Sequence, residues 1–257
     1  MFDFKRTKIL FGFGILLLLG IAMVLITALK VDPFIGIFLF GGGIILYLII
    51  LQKYSAKAYI KWRQGILTHL DADAFLEEIE RLVQTNKRFS HWQMIKEQDY
   101  ALALMWAGQF QKARDIVQAI ERDYAMILQY NTYSRFSMDI LHALLDSFTD
   151  PNLFSSSFQT LQEAAHSLNE QERLALEQNK KSYYHLIMKI HDLMMNPEEP
   201  ADLTLDEYPP LFQVVLLHFL IKQTQNEAKK TYYLNQLNTY TGSVFILKQH
   251  PLNDYTK

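Results

Sequence analysis

The chain has 257 residues, with 25 Lys and Arg against 27 Asp and Glu, and it contains no cysteine, which excludes disulfides and cysteine-based metal sites. The charge is divided unevenly, because residues 1–63 carry eight basic and two acidic residues whereas residues 64–257 carry 17 basic and 25 acidic residues. The acidic part would repel a polyanion, so we expect no nucleic-acid partner.

Two apolar runs without any charged residue dominate the N-terminal part, at residues 9–29 and 34–51. About 20 apolar residues rising 1.5 Å each cross the roughly 30 Å hydrocarbon core of a bilayer. The first run has this length and the second is slightly shorter. We therefore predict a transmembrane helical hairpin over residues 9–51, preceded by a basic segment, 1–8, and followed by a separate domain, 52–257.

A cleaved signal peptide is the alternative interpretation of the first run. Its apolar region would be about 7–15 residues long and would end at a small-residue cleavage site of the A-x-A type. Residues 27–30 read Thr-Ala-Leu-Lys and provide no such site, and the second run follows almost at once. The hairpin is the favoured interpretation.

Basic residues flank the two runs, with Lys5, Arg6 and Lys8 before the first and Lys53, Lys57, Lys61 and Arg63 after the second. Positive residues near span ends stay in the cytoplasm, so we predict a two-span cell-membrane protein with both termini cytoplasmic. Lys53, Lys57 and Lys61 recur every four residues on one helix face. They are expected at the membrane surface, either for specific lipid binding or for ordinary topology and anchoring.

Glycines in the two runs would let helices approach closely. Gly36 and Gly43 share a helix face and predict a seam against the first helix, and the glycines also permit self-association. Tyr47 is expected to anchor the second helix at the interface. The runs contain no ionisable residue, so we do not expect a channel or a pump.

The remainder of the chain has helical apolar spacing, which predicts an all-α domain. The capping sequence Asp71-Ala72-Asp73 precedes a predicted helix with apolar positions at Phe75, Leu76, Ile79, Leu82 and Val83. Further helices are predicted at about residues 90–106, 111–122, 131–148, 158–168, 171–195, 210–221 and 226–240. The serines at 155–157 are predicted to form a loop. An alternating pattern is limited to residues 244–247, where a short strand is the weak prediction.

One helix pair resembles the centre of a tetratricopeptide repeat. A predicted helix ends at Gly108, the aromatic Phe110 follows two residues later, and Ala113 lies five residues after the glycine. The glycine permits the turn, while Ala101 and Ala113 allow the two helices to pack closely. The resemblance covers about residues 95–121, and Ala125 stands where the family has its closing proline. It implies a degenerate, tetratricopeptide-like α-solenoid.

In that family a groove between stacked helices accepts a segment of a protein partner. The resemblance places the partner contacts at Ile95, Gln98, Leu102, Met105 and Trp106. The other interpretation is that Leu102, Met105 and Trp106 belong to the core.

Sequence motifs for catalysis or cofactor binding are absent. The chain has eight histidines but no H-E-x-x-H, and it has no G-x-S-x-G, Walker-type or G-x-G-x-x-G motif. His185 and His191 are six residues apart and miss the spacing of a two-histidine helical site, whereas His142 and Asp146 have the spacing of a surface ion pair. Residues 69–73 contain two aspartates that helix capping explains without a metal. We expect no metal, no cofactor and no enzymatic activity.

The sequence therefore predicts a membrane-anchored, non-catalytic scaffold that holds an unidentified protein partner through its helical-repeat domain. The alternative is an accessory subunit of a larger membrane complex that associates through its glycine-rich hairpin. An enzyme with an unrecognised site is the third possibility.

Overall fold

The computed structural model describes residues 4–27, 32–84, 91–196 and 204–249, and the chain divides into two compact units, Met1–Gly65 and Ile66–Lys257. Residues 1–3 of the predicted basic segment 1–8 lie outside the described residues, as do residues 28–31, which include the first two residues of the predicted turn. All regular elements in the described ranges are helices, which confirms the all-α prediction. The helices are α1 (Phe4–Thr27), α2 (Pro33–Arg63), α3 (Gly65–His69), α4 (Ala72–Gln84), α5 (His91–Trp106), α6 (Phe110–Asp123), α7 (Ala125–Tyr130), α8 (Thr132–Thr149), α9 (Pro151–His166), α10 (Glu170–Gln178), α11 (Tyr183–Met195), α12 (Pro210–Gln223), α13 (Glu227–Leu237) and α14 (Phe245–Gln249).

The first unit is a helical hairpin in which α1 packs against α2. Asp32 caps α2, because its Oδ1 accepts a hydrogen bond from the Phe34 backbone N–H at 2.8 Å, and Pro33 occupies the first helical position. Gly43 faces the Leu18 side chain. The structure thus has a close contact between the two helices at Gly43, one of the two predicted seam glycines. The contacts of Gly36 do not belong to the part of the chain that the structure describes.

Tyr47 lies inside the hairpin, where its ring packs directly against Gly14 of α1. Many other side chains of α1 and α2, including Leu16 and Phe38, are exposed. Within the ranges that the structure describes, no helix combines the length and the apolar character needed to cross a membrane. The two membrane spans therefore stay a prediction.

The second unit, called the head below, is built around the most heavily buried helices, α5, α8 and α12. Helix α12 is buried along most of its length, because residues 214–221 are all buried. It packs against α11, α13 and α14, while α5 packs against α4, α6 and α8. The apolar surface of α12 explains why a helix only 14 residues long is buried almost all round.

The first and last parts of the head are hydrogen-bonded to each other. The Ser243 backbone N–H donates to the Leu70 carbonyl at 3.0 Å, and Lys248 Nζ donates to the Asp73 carboxylate at 2.9 Å. Each repeat of a regular solenoid contacts only its neighbours, whereas here residues 175 positions apart are paired. This pairing does not belong to the neighbour-to-neighbour contacts of a regular solenoid, and the tetratricopeptide-like array stays a prediction.

The predicted loop at the serine run is wrong, because residues 155–157 lie inside α9. This helix starts seven residues earlier than predicted, at Pro151, since the Asp150 side chain accepts hydrogen bonds from the next turn and caps it.

The single helix predicted at residues 171–195 is also wrong, because the chain breaks between α10 and α11. Asn179 Oδ1 accepts a hydrogen bond from the Lys181 N–H at 3.0 Å, and Ser182 Oγ accepts one from the His185 N–H at 3.1 Å. Such local side-chain bonds compete with helix continuation.

The strand predicted at residues 244–247 is wrong as well, because this segment forms α14. A short apolar run cannot distinguish a buried helix from a strand by periodicity alone. Helix α7 was not predicted, since its six residues are too few to show a helical period. Helix α3, which has five residues, was not predicted either. The remaining helices of the head match their predicted positions to within a few residues.

Candidate functional site

The turn between α5 and α6 contains the glycine on which the repeat resemblance depends. Gly108 has a φ of 81°, a left-handed conformation that side chains with a Cβ rarely adopt. A Cβ added here would lie 3.0 Å from the Cβ of Phe245 in α14. Glycine is therefore required both by the backbone and by the close approach of α14.

The other residues of the resemblance lie in the packed pair that α5 and α6 form. Ala101 and Ala113 are buried. The Phe110 ring is half-buried and meets the Phe245 ring edge-to-face, with 5.0 Å between the ring centroids. All three positions therefore serve packing in this structure.

The five predicted groove positions are largely buried. Leu102, Met105 and Trp106 are 3%, 2% and 0% exposed, Gln98 is buried, and Ile95 is half-buried. The burial favours the interpretation of Leu102, Met105 and Trp106 as core residues. Among the described residues, no hydrogen-bond partner reaches Gln98 Nε2 or Trp106 Nε1.

An aromatic cluster, which the sequence did not predict, surrounds Phe148 of α8. Its ring centroid lies 5.9 Å from that of Trp106, 5.4 Å from Phe219 and 5.2 Å from Phe245. The cluster joins α5, α8, α12 and α14, which are distant in sequence. Spacing along one helix therefore gives no signal for it.

A partly buried ion pair connects three helices of the head. Arg114 Nη2 of α6 donates to Asp146 Oδ1 of α8 at 2.8 Å, and Ser157 Oγ of α9 donates to Asp146 Oδ2 at 2.5 Å. The predicted ion pair between His142 and Asp146 is wrong. Asp146 faces inward, and His142 Nε2 instead lies 2.9 Å from Glu121 Oε1.

Two histidines of α11 have distinct environments. His185 Nδ1 donates to the Glu177 carbonyl, which leaves Nε2 to accept the hydrogen bond of the Tyr208 hydroxyl at 3.1 Å. The His191 ring stacks on Phe158, with centroids 3.8 Å apart. Burial lowers the pKa of both imidazoles below the ordinary value. Both rings are therefore stabilised in the neutral form.

The aspartates at residues 71 and 73 have separate structural roles. Asp71 Oδ1 accepts a hydrogen bond from the Ala74 N–H at 3.1 Å, which caps α4, and Asp73 pairs with Lys248 instead of capping. No group of three or more His, Asp or Glu in the described part of the chain is placed to hold a metal ion.

An exposed apolar surface occupies α7 and the start of α8. Met126, Tyr130 and Tyr133, called the α7 patch below, are 75%, 80% and 56% exposed. Met126 and Tyr130 are one helical turn apart and share a face. Tyrosine and methionine are enriched in the cores of protein interfaces. The six residues of α7 are too few to show a helical period, so the sequence gives no signal for this surface.

The predicted membrane-surface cations lie on the C-terminal part of α2, which continues without a break to Arg63. Lys53, Lys57 and Lys61 are exposed and Arg63 is half-buried. No described side chain forms an ion pair with any of the three lysines. A positive, solvent-facing strip thus follows the apolar part of the helix.

Comparison of the chain with protein-family models, with curated proteins and with solved structures finds no match. The partly buried ion pair between Arg114 and Asp146 and the aromatic cluster around Phe148 connect the helices of the head to one another. The exposed surfaces of the hairpin and the α7 patch are the features that a lipid or a protein partner can reach.

Proposed function

We propose that the protein is a non-catalytic interaction scaffold anchored in the cell membrane by α1 and α2, with both termini and the head in the cytoplasm. The observation that carries the proposal is the outward-facing apolar surface of the hairpin. A protein partner binds the head, and the hairpin keeps that partner at the membrane.

The exposed side chains of α1 and α2 support anchoring. Leu16 is 70% exposed and Phe38 is 81% exposed, and both belong to a larger set of exposed apolar residues on the two helices. Soluble proteins rarely expose contiguous apolar patches larger than a few hundred Å². Lipid chains would cover this surface without leaving polar groups unsatisfied, because the backbone of each helix is hydrogen-bonded internally.

The lengths of the apolar segments support the same proposal. Helix α1 has 24 residues, about 36 Å at 1.5 Å per residue, and the apolar run at 34–51 extends about 27 Å. The proposal therefore rests on the amino-acid sequence of both runs together with the exposed side chains.

The α7 patch is the surface we assign to the protein partner. Its side chains are exposed without belonging to the hairpin, whereas four of the five groove positions are buried in the head. A partner could cover Met126 and Tyr130 without unfolding any helix. Burying such large side chains would contribute about 1.5–3 kcal/mol each for an apolar partner surface.

An accessory subunit of a larger membrane complex is the second candidate function. Four glycines of the hairpin support this candidate, because a Cβ built at each of them would have no described atom within 4 Å: Gly12, Gly20, Gly41 and Gly42. Helices of other membrane subunits could approach closely at these positions. In that case the hairpin itself would be the binding element.

Site-specific photo-crosslinking in the full-length protein tests the two candidates. A photoreactive amino acid at Met126 is expected to capture a discrete partner in the membrane fraction, and Tyr130→Ser is expected to weaken the capture. Tyr232, which is also exposed but lies on α13, provides the matched control for both the probe and the serine substitution. Capture only from a probe at Gly41 would favour the accessory-subunit function and contradict the assignment to the α7 patch.

A further inference from the structure

We propose that Lys53, Lys57 and Lys61, called the lysine stripe below, bind the headgroups of anionic phospholipids. The inference rests on the proposed membrane anchoring and adds the chemical class of lipid that the anchor prefers. Three features of α2 carry it: the position of the lysines along the helix, their shared face, and the lack of compensating acidic groups.

The position along α2 matches the thickness of the headgroup layer. Because α2 is continuous through Arg63, the rise of 1.5 Å per residue places Lys53, Lys57 and Lys61 about 3, 9 and 15 Å beyond Leu51. The interfacial layer on each side of a bilayer is about 5–8 Å thick. Lys53 therefore lies in this layer and Lys57 at its outer edge, while Lys61 lies within about one Debye length of it.

The three lysines share the exposed side of α2. At 3.6 residues per turn, they fall within an arc of about 80°. Residues 59 and 62 project from the other side, where Tyr59 is buried and Trp62 is half-buried, with ring centroids 5.4 Å apart. The lysine ammonium groups can therefore reach a headgroup layer without displacing packed side chains.

The positive charge of the stripe is not compensated within its helix. Residues 33–63 contain no Asp or Glu, and no described side chain pairs with these lysines. By contrast, Lys248 is paired with Asp73, and Lys180 is paired with Glu207. An uncompensated stripe of cations directly beyond an apolar run is complementary to a layer of phosphodiester anions.

The test uses full-length protein reconstituted in phosphatidylcholine vesicles that contain a trace of spin-labelled phosphatidylglycerol or spin-labelled phosphatidylcholine. The motionally restricted component of the spectrum measures the lipid that contacts the protein. At low salt we expect about a fivefold preference for phosphatidylglycerol, the factor that corresponds to about 1 kcal/mol from one well-placed lysine. In 1 M salt, where the Debye length is about 3 Å, the preference should nearly disappear.

The triple variant K53Q/K57Q/K61Q is expected to reduce the preference to less than twofold. Among the single variants, K53Q should have the largest effect and K61Q the smallest. The variant K112Q/R122Q/K181Q removes the same charge from exposed positions of the head and should keep the wild-type preference.

The possible outcomes separate this inference from the proposed anchoring. If the wild-type protein restricts both lipids to the same extent, the lipid inference is overturned and the anchoring stays intact. The same conclusion follows if the triple variant keeps the wild-type preference for phosphatidylglycerol. An equal loss in the head control would also overturn it. If the wild-type protein restricts neither lipid, the anchoring fails and the lipid inference fails with it.

Discussion

The core position of Trp106 leads to a prediction that distinguishes two substitutions of the same residue. Trp106 is fully buried, and its ring lies between Phe148 and Tyr183, with centroid distances of 5.9 and 6.4 Å. Its indole N–H has no hydrogen-bond partner among the described residues. We expect Trp106→Ala to destabilise the head severely and Trp106→Phe to leave its stability almost unchanged.

The expected magnitudes follow from the volume lost and from the unpaired donor. Replacement of a buried tryptophan by alanine costs about 3–5 kcal/mol, because a large cavity remains. Trp106→Phe removes fewer atoms, and its smaller cavity should lower the free energy of unfolding by about 1–2 kcal/mol. The same change removes the unpaired indole N–H, whose burial destabilises the folded head by about 1–3 kcal/mol, so the two effects offset each other. The net change should lie within about 1 kcal/mol. For a domain of this size, 1 kcal/mol shifts Tm by about 2–4 °C.

The assay is thermal unfolding of the full-length protein in a mild detergent, followed by circular dichroism in the near ultraviolet. Trp106→Ala should lower Tm by about 6–20 °C and Trp106→Phe by less than about 4 °C. Trp92→Phe changes a partly exposed tryptophan and serves as the control. An equal loss in both Trp106 variants would refute the unpaired-donor argument. A negligible loss in Trp106→Ala would favour the partner-groove interpretation of this residue.

Three further predictions use the same thermal assay. Gly108→Ala should cost at least about 1–2 kcal/mol, because the left-handed backbone and the nearby α14 both oppose a Cβ. Arg114→Met should cost about 2–4 kcal/mol, since it leaves the buried Asp146 carboxylate without its cation, and the double change Arg114→Met with Asp146→Leu should recover part of this loss. Stability should fall as the pH decreases through about 6.5, because burial lowers the pKa of His191 in the folded state and the unfolded chain then binds more protons. His191→Phe should reduce this pH dependence while keeping the stacking on Phe158.

Each of these predictions has a control and a contradicting result. Gly12→Ala should be tolerated, since no described atom lies within 4 Å of the added Cβ, and a tolerated Gly108→Ala would refute the turn argument. A double variant less stable than Arg114→Met would refute the ion-pair argument. If the wild-type protein and His191→Phe show the same Tm difference between pH 7.5 and 5.5, His191 does not contribute to the pH dependence of stability.

The sequence was sufficient for the parts of the fold that depend on local signals. The cap at Asp71, the turn at Gly108 and the start of α12 all lie where sequence signals place them. Each signal involves residues a few positions apart, so it acts within one element. These features could therefore be predicted without any knowledge of the tertiary structure.

The features that the sequence did not reveal depend on contacts between distant segments. Phe148 is an ordinary apolar position of α8 in the sequence, and its cluster exists only because α12 and α14 meet it in space. The burial of Asp146 follows from Arg114 and Ser157, which belong to two other helices. Contacts between helices that are distant in sequence decide which residues are buried and which are exposed. The periodicity of a single helix contains no information about those contacts.

Membrane anchoring is the central claim, and the absence of cysteine from the chain permits a direct test of it. Single cysteines are introduced by Lys30→Cys, between the two apolar runs, and by Lys112→Cys, on the exposed face of α6. A membrane-impermeant maleimide applied to intact cells is expected to label Lys30→Cys, and to label Lys112→Cys only after permeabilisation. Equal labelling of both positions before permeabilisation, or release of the protein from membranes at alkaline pH, would contradict the account.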